Sequence, residues 1–122
     1  MTAKILLVDD SGLARRSMRA ILEPAGYSVV EAEDGMSALE RYFLEKPDLV
    51  LLDLVMRGMN GLDVLTKLHE LDGAARVVVV SADIQDSSRE MAESGGASGF
   101  VTKPVDRAAI LKVIADVLGA KT

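Results

Sequence analysis

Three apolar runs in this chain carry groups that can do chemistry. ILLVDDS (Ile5–Ser11) ends in two adjacent carboxylates, Asp9 and Asp10, and a hydroxyl. LVLLDL (Leu49–Leu54) contains a lone acid, Asp53, and VVVVSA (Val77–Ala82) ends on Ser81. A carboxylate inside a segment apolar enough for burial is costly unless something pairs with it. If Asp9, Asp10 and Asp53 met, they would repel one another, and without compensation at least one would take up a proton. A hard divalent cation resolves that conflict: magnesium takes oxygen ligands, keeps several waters and accepts one or two carboxylates plus phosphate oxygens. Lys103 would add a second positive charge suited to a phosphoryl oxygen, and Ser81 a short hydroxyl donor. A carboxylate surrounded by cation, amine and hydroxyl can attack a phosphoryl group and carry it as an aspartyl-phosphate. Asp53 fits that role because it lies centrally between the acidic pair and Ser81.

These groups come together only if the elements carrying them are ordered correctly. Runs rich in Val, Leu and Ile alternate with helical patterns, which predicts a parallel sheet covered on both faces. The strands read as Lys4–Asp9, Ser28–Ala32, Asp48–Leu54, Arg76–Ser81 and Ser98–Thr102. The intervening segments show apolar stripes at helical spacing: Met18, Ile21, Leu22 and Ala25; Met36, Leu39 and Phe43; Val64, Leu68 and Leu71; Ile110, Val113, Ile114 and Val117. A fourth helix, Ile84 to Ser94, is serine-rich and weakly patterned. Gly26, Gly58, Gly73 and Gly95–Gly96 fall between elements, with Pro24 and Pro47 near helix ends. Five such units give a three-layer α/β sandwich, in which ligands bind outside the carboxyl ends of the strands. Asp9, Asp10, Asp53, Ser81 and Lys103 all fall at that edge.

Composition narrows the function classes. The chain has 122 residues, is 49% hydrophobic and carries a formal charge of −5. That is enough for the core of one domain, read as 1–122, and the acidic balance argues against direct binding to nucleic acid or an anionic membrane. With no Trp, two Phe and two Tyr, base stacking is also disfavoured. No run is long enough to cross a bilayer, and no signal-peptide pattern opens the chain. With no cysteine there is no disulfide framework or thiol chemistry, which fits a cytoplasmic setting.

Together, LLVDDS, LVLLDLVMRGMNGLDVL, VVVVSA and GASGFVTKP resemble the receiver domain of two-component response regulators, most closely single-domain receivers of the chemotaxis type. The resemblance runs from about Ala3 to Leu118, with every motif in order. It implies a flavodoxin-like sheet of order 2-1-3-4-5 with five helices. It implies that Asp53 is the phosphoacceptor, that Asp10 binds Mg2+ directly and Asp9 through water, and that Val55 offers a backbone carbonyl to the metal. Ser81 matches the hydroxyl position and Lys103 the lysine, followed by Pro104 after a cis bond. Phe100 matches an aromatic switch position. The implied partners are a histidine kinase or phosphotransfer protein and an unknown downstream protein, reached through the surface of the fourth helix, fifth strand and fifth helix. No effector domain follows Leu118, so output is expected through binding, unless the chain is excised from a longer regulator, as a monomer or a phosphorylation-dependent dimer, with only slow self-dephosphorylation. Arg57, where receivers most often carry Pro, and Asn60, where Asp is common, depart from the pattern and predict a more flexible loop. Val55 and Asp83 occupy positions that tune phosphoryl lifetime.

Each residue also has a plainer reading. Asp10 and Ser11 suit the cap of a helix, Ser81 a strand-end turn, Lys103 a solvated side chain and Phe100 core. His69, without a companion histidine, reads as structural. Arg15 and Arg16 read either as a solvated face or, with Leu13, as a docking surface. Three rival functions fit parts of this pattern. A magnesium-dependent phosphohydrolase with an aspartyl nucleophile needs a further acid and a substrate pocket. A flavin binder needs a phosphate-cradling loop where DDSGLARR would repel phosphate. A non-phosphorylated interaction module would not need the full set of acids, hydroxyl and lysine.

Overall fold

The computed structural model describes residues 2–56, 58–82 and 86–119. Five parallel strands, β1 (Lys4–Val8), β2 (Ser28–Ala32), β3 (Leu49–Asp53), β4 (Val77–Ser81) and β5 (Gly99–Thr102), pair in the order β2-β1-β3-β4-β5. They alternate with α1 (Gly12–Leu22), α2 (Gly35–Glu45), α3 (Gly61–Leu71), α4 (Asp86–Ser94) and α5 (Arg107–Gly119). Because successive strand residues point to opposite faces, β1 and β3 feed two separate cores. Leu6, Val8, Val50 and Leu52 pack with Val64, Leu65 and Leu68 on one face. Ile5, Leu7, Leu49 and Leu51 pack with Met18, Leu22, Ile110 and Ile114 on the other. Double burial is why these strands are continuously apolar, and why any polar residue in them stands out.

Helix starts are fixed by side chains that satisfy otherwise unpaired amides. Ser11, not Asp10, caps α1, its Oγ accepting from the Ala14 N–H at 3.1 Å. Asp34 and Ser37 form a reciprocal capping box on α2. Asn60 caps α3 by accepting from the Leu62 N–H at 2.7 Å, which gives this departure from the receiver pattern a structural use. Arg57 and Asp83 lie outside the described residues, as do Ile84 and Gln85 at the start of the predicted fourth helix.

Several predicted boundaries and stripes need correction. Asp9, Asp48, Leu54, Arg76 and Ser98 flank their strands rather than belonging to them. Ala25 lies beyond the end of α1 and is exposed. On α2 the predicted Met36 and Phe43 face solvent, at 68% and 76% exposure. The inward face is Gly35, Ala38, Leu39 and Tyr42 instead. The physical reason is close packing: a β-carbon at Gly35 would lie 2.9 Å from Val64 Cγ2. Small residues bring α2 against α3, and the Tyr42 hydroxyl donates to Asp72 Oδ2 at 2.7 Å to fasten the two helices. On α3, Leu65 is buried and Leu71 exposed, so that stripe is turned as well. The α5 stripe is as expected: Ile110 and Ile114 are buried, with Val113 and Val117 packed beside them.

One glycine determines how the β3–α3 loop folds over the strand end. A β-carbon on Gly61 would lie 2.5 Å from Leu54 Cα and 2.7 Å from the Asp53 carbonyl oxygen. Both are main-chain atoms, so no side chain can yield. Gly61→Ala is therefore expected to destabilise the fold by about 1–3 kcal/mol, the usual range for overpacking, measured by urea denaturation; unchanged stability would show that the loop moves freely off β3.

Candidate functional site

Parallel pairing brings the carboxyl ends of β1, β3, β4 and β5 to one edge, and the side chains singled out in the sequence meet there. Asp53 is the last residue of β3 and only 7% exposed. Asp9 directly follows β1, its N–H donating to the Ala32 carbonyl at 3.2 Å. Carboxylate oxygens of Asp9, Asp10 and Asp53 all lie within 4.8 Å of one another. Lys103 Nζ sits between two of them, donating to Asp9 Oδ2 at 3.0 Å and Asp53 Oδ2 at 3.2 Å. The remaining oxygens of that pair are held by main-chain amides: Asp9 Oδ1 accepts from Ser11 N–H at 2.9 Å, and Asp53 Oδ1 from Val55 N–H at 3.0 Å.

The lysine is aimed by its own strand. The Lys103 N–H donates to the Ser81 carbonyl at 2.8 Å, continuing the β4–β5 ladder one step beyond Ser81 and Thr102. The Lys103–Pro104 peptide bond is cis. Ser81 is fully buried at the end of β4, one position beyond Val80, the register partner of Asp53. Phe100 lies away from the acids on β5. It packs against the core on the α2–α4 face, with the Arg89 guanidinium 5.6 Å from its ring centroid. Val55 contributes its amide, while its side chain is exposed.

The electrostatics are unbalanced. Burial pushes the Asp53 carboxyl above the usual range, and neither the Val55 amide nor the Lys103 charge fully offsets it, while Asp9 adds repulsion. Burial works against the Lys103 ammonium too, yet hydrogen bonds and charge from Asp9 and Asp53 hold its pKa above the ordinary value. The two partners differ because the lysine faces two anions, whereas Asp53 faces one cation and another anion. One ammonium among three carboxylates leaves negative charge to spare. The donor set fits magnesium: all three groups offer hard oxygens, and ligands on opposite sides of a Mg–O distance of about 2.0–2.1 Å stand roughly 4 Å apart, within the separation seen here.

His69 is structural, its ring nitrogens facing the carbonyls of Leu65 and Ala75 at 3.2 and 3.0 Å. Arg15 is not a free docking residue: its side chain is 17% exposed and bound to Glu31 and to the Asp9 carbonyl. The available signal was Glu31 itself, a charge inside a strand. Arg16 is exposed. Among the described residues, no helix is long and apolar enough to cross a membrane.

This architecture, with acids, hydroxyl and lysine at one sheet edge, has close counterparts. The chain belongs to the response regulator receiver domain family, which it matches over residues 5–115. It is 36% identical over 120 residues to chemotaxis protein CheY of Halobacterium salinarum, covering 98% of this chain and 100% of that one. It is 40% identical over 119 residues to protein PilH of Pseudomonas aeruginosa, covering 95% and 98%. Among solved structures, the CheY-like receiver of Methanospirillum hungatei superposes with a TM-score of 0.93 at 28% identity, covering 98% and 96%. CheY in the CheX–CheY–BeF3–Mg complex of Borrelia burgdorferi does so with a TM-score of 0.91 at 31% identity, covering 94% and 88%. The chain is thus a receiver domain of CheY type.

The raised Asp53 pKa sets a pH dependence. Folding favours the protonated acid, so the contribution of this group is complete below the ordinary carboxylate value near ~3.9 and is lost as pH rises through its folded value. In magnesium-free buffer at pH 7, Asp53→Asn is expected to melt at a higher temperature than the wild type, because it removes a carboxylate that burial disfavours. The gap should close near pH ~3. Equal melting temperatures at neutral pH would mean that the carboxylate carries no burial penalty.

Proposed function

We propose that this chain is a phosphorylation-activated signalling switch that accepts a phosphoryl group on Asp53 with Mg2+ bound. The observation that carries this reading is Lys103 bridging Asp9 and Asp53 beside a third carboxylate. Asp9, Asp10 and Asp53, with the Val55 carbonyl, would hold the metal, which supplies positive charge to offset the acids and the incoming phosphoryl oxygens. Asp53 is held ready for attack by the Val55 amide on one oxygen and Lys103 on the other. Its carboxylate forms a bond to phosphorus as the bond from phosphorus to the donor's imidazole nitrogen breaks, and the departing imidazole takes the electron pair. Lys103 then turns from the carboxylate to a phosphoryl oxygen, and Ser81 supplies a hydroxyl to another.

The donor is a histidine kinase or phosphotransfer protein. Phosphorylation adds about two negative charges and three acceptor oxygens. Movement of Ser81 toward them would vacate space into which Phe100 rotates, altering the α4–β5–α5 face that binds a downstream protein. A few kcal/mol of bias suffices where both conformers pre-exist. The Borrelia relative supports this scheme, since BeF3, a stand-in for a phosphoryl group, accompanies Mg and CheX in that complex. The switch works in the cytoplasm, as a monomer or a phosphorylation-dependent dimer, with slow self-dephosphorylation as its only turnover.

Incubation with magnesium and acetyl phosphate should add the mass of one phosphoryl group to the wild type and none to Asp53→Asn, with chelation of magnesium abolishing the change. A wild type that stays unmodified overturns the reading. Ser81→Ala should still gain the mass, while the phosphorylation-induced shift of the Phe100 ring signals in NMR spectra falls to a small fraction of the wild-type change. A full-sized shift in that variant would remove Ser81 from the switch.

A further inference from the structure

We propose that Arg15 is a positioning residue for the acidic pair: anchored on Glu31, its guanidinium holds the Asp9 main chain so that Asp9 and Asp10 present their carboxylates to the cation site. This rests on the magnesium-dependent reading above. Arg15 Nη1 donates to the Asp9 carbonyl at 2.6 Å, and Arg15 Nε donates to Glu31 Oε1 at 2.8 Å. Glu31 lies on β2, in register with Leu7 of β1, and its other oxygen accepts from Arg19 Nε at 2.9 Å. Arg19 in turn is tied to Glu23 Oε2 at 3.0 Å and to the Val29 carbonyl at 3.3 Å. The anchor is therefore fixed from two turns of α1 and from the edge of the sheet.

The oxygen that Arg15 grips belongs to the peptide joining Asp9 to Asp10. That peptide is planar, so holding its oxygen sets the direction in which Asp10 leaves the strand end. Asp9 itself is then held at its carbonyl by Arg15, at Oδ1 by the Ser11 amide and at Oδ2 by Lys103. A planar fork that meets two acceptors on different elements is a task for arginine; a lysine ammonium is a point charge and does not reproduce it.

Coulomb's law alone makes the opposite prediction. A positive charge beside a cation site weakens metal binding, so deleting Arg15 would tighten it. Positioning predicts the reverse, because loss of a group that orients metal ligands typically lowers affinity about 10–100-fold. The sign of the effect therefore decides between them.

The test is calorimetric titration of magnesium into the wild type, Arg15→Ala, Arg15→Lys, Glu31→Gln and Arg16→Ala. Arg15→Ala is expected to bind magnesium about tenfold or more weakly, and Arg15→Lys to recover little of the loss. Glu31→Gln should also bind more weakly and, beyond the effect of its lost charge, should quicken amide exchange at Ser11 as Arg15→Ala does. Arg16→Ala, which removes an exposed and screened charge from the next position, should match the wild type. Amide exchange at Ser11, whose N–H is bonded to Asp9, should quicken in Arg15→Ala. Magnesium affinity in Arg15→Ala equal to or tighter than that of the wild type overturns the proposal, as does an equal loss in Arg16→Ala. If Arg15→Ala does not fold, Arg15→Lys decides: it keeps the charge, so magnesium affinity equal to that of the wild type overturns the proposal. A wild type that does not bind magnesium defeats the shared reading; a wild type that binds, with unaltered Arg15 and Glu31 variants, defeats this inference alone.

Discussion

Mutual repulsion among Asp9, Asp10 and Asp53 is the constraint around which this edge of the molecule is built. Two carboxylates 4–5 Å apart in a partly buried setting oppose each other by roughly 3–4 kcal/mol at an effective dielectric of ~20. A fold of ordinary stability has only about 5–15 kcal/mol in total. The chain meets the conflict with directed donors: the Lys103 ammonium on two carboxylates, the Ser11 and Val55 amides on their remaining oxygens. These donors reduce the strain, yet burial, with a smaller push from Asp9, still holds the Asp53 carboxyl above its usual range. A site left in this condition keeps negative charge that one ammonium does not cancel.

The scaffold keeps that tension local. β1, β3 and β4 are each sealed on both faces by aliphatic side chains, so the repulsion cannot be relieved by a shift of β1 against β3 without disturbing both cores. Gly61 brings α3 onto the end of β3 with no side chain between. Caps from Ser11 and Asn60 start α1 and α3 beside the acids. Strand-end geometry and helix starts thus come from the same few loop residues, and the functional groups inherit the rigidity of the sheet.

Much of this was legible in the sequence because the exceptions lay in uniform surroundings. Asp53 and Ser81 stood out against unbroken aliphatic runs, the alternation with helices pointed to a parallel sheet, and the strand order came from the resemblance to receivers. The faces of α2 and α3 were less legible. Periodicity finds apolar stripes, but Met36 and Phe43 form as regular a stripe as Gly35, Ala38, Leu39 and Tyr42. Only the close approach to Val64 selects the second. The role of Arg15 was hidden for another reason: its partner Glu31 is 16 positions away on a neighbouring strand, and no local spacing rule reports such a contact.

The bond from Lys103 to Asp9 joins residues 94 positions apart. A nascent chain emerging from the ribosome carries Asp9 and Asp53 long before the residue that steadies them. Until β5 has docked beside β4, the acids lack their ammonium, and this edge of the sheet keeps its full excess of negative charge. The arrangement of acids and amine therefore arrives only with the last strand, and an unfinished or partly unravelled molecule lacks it.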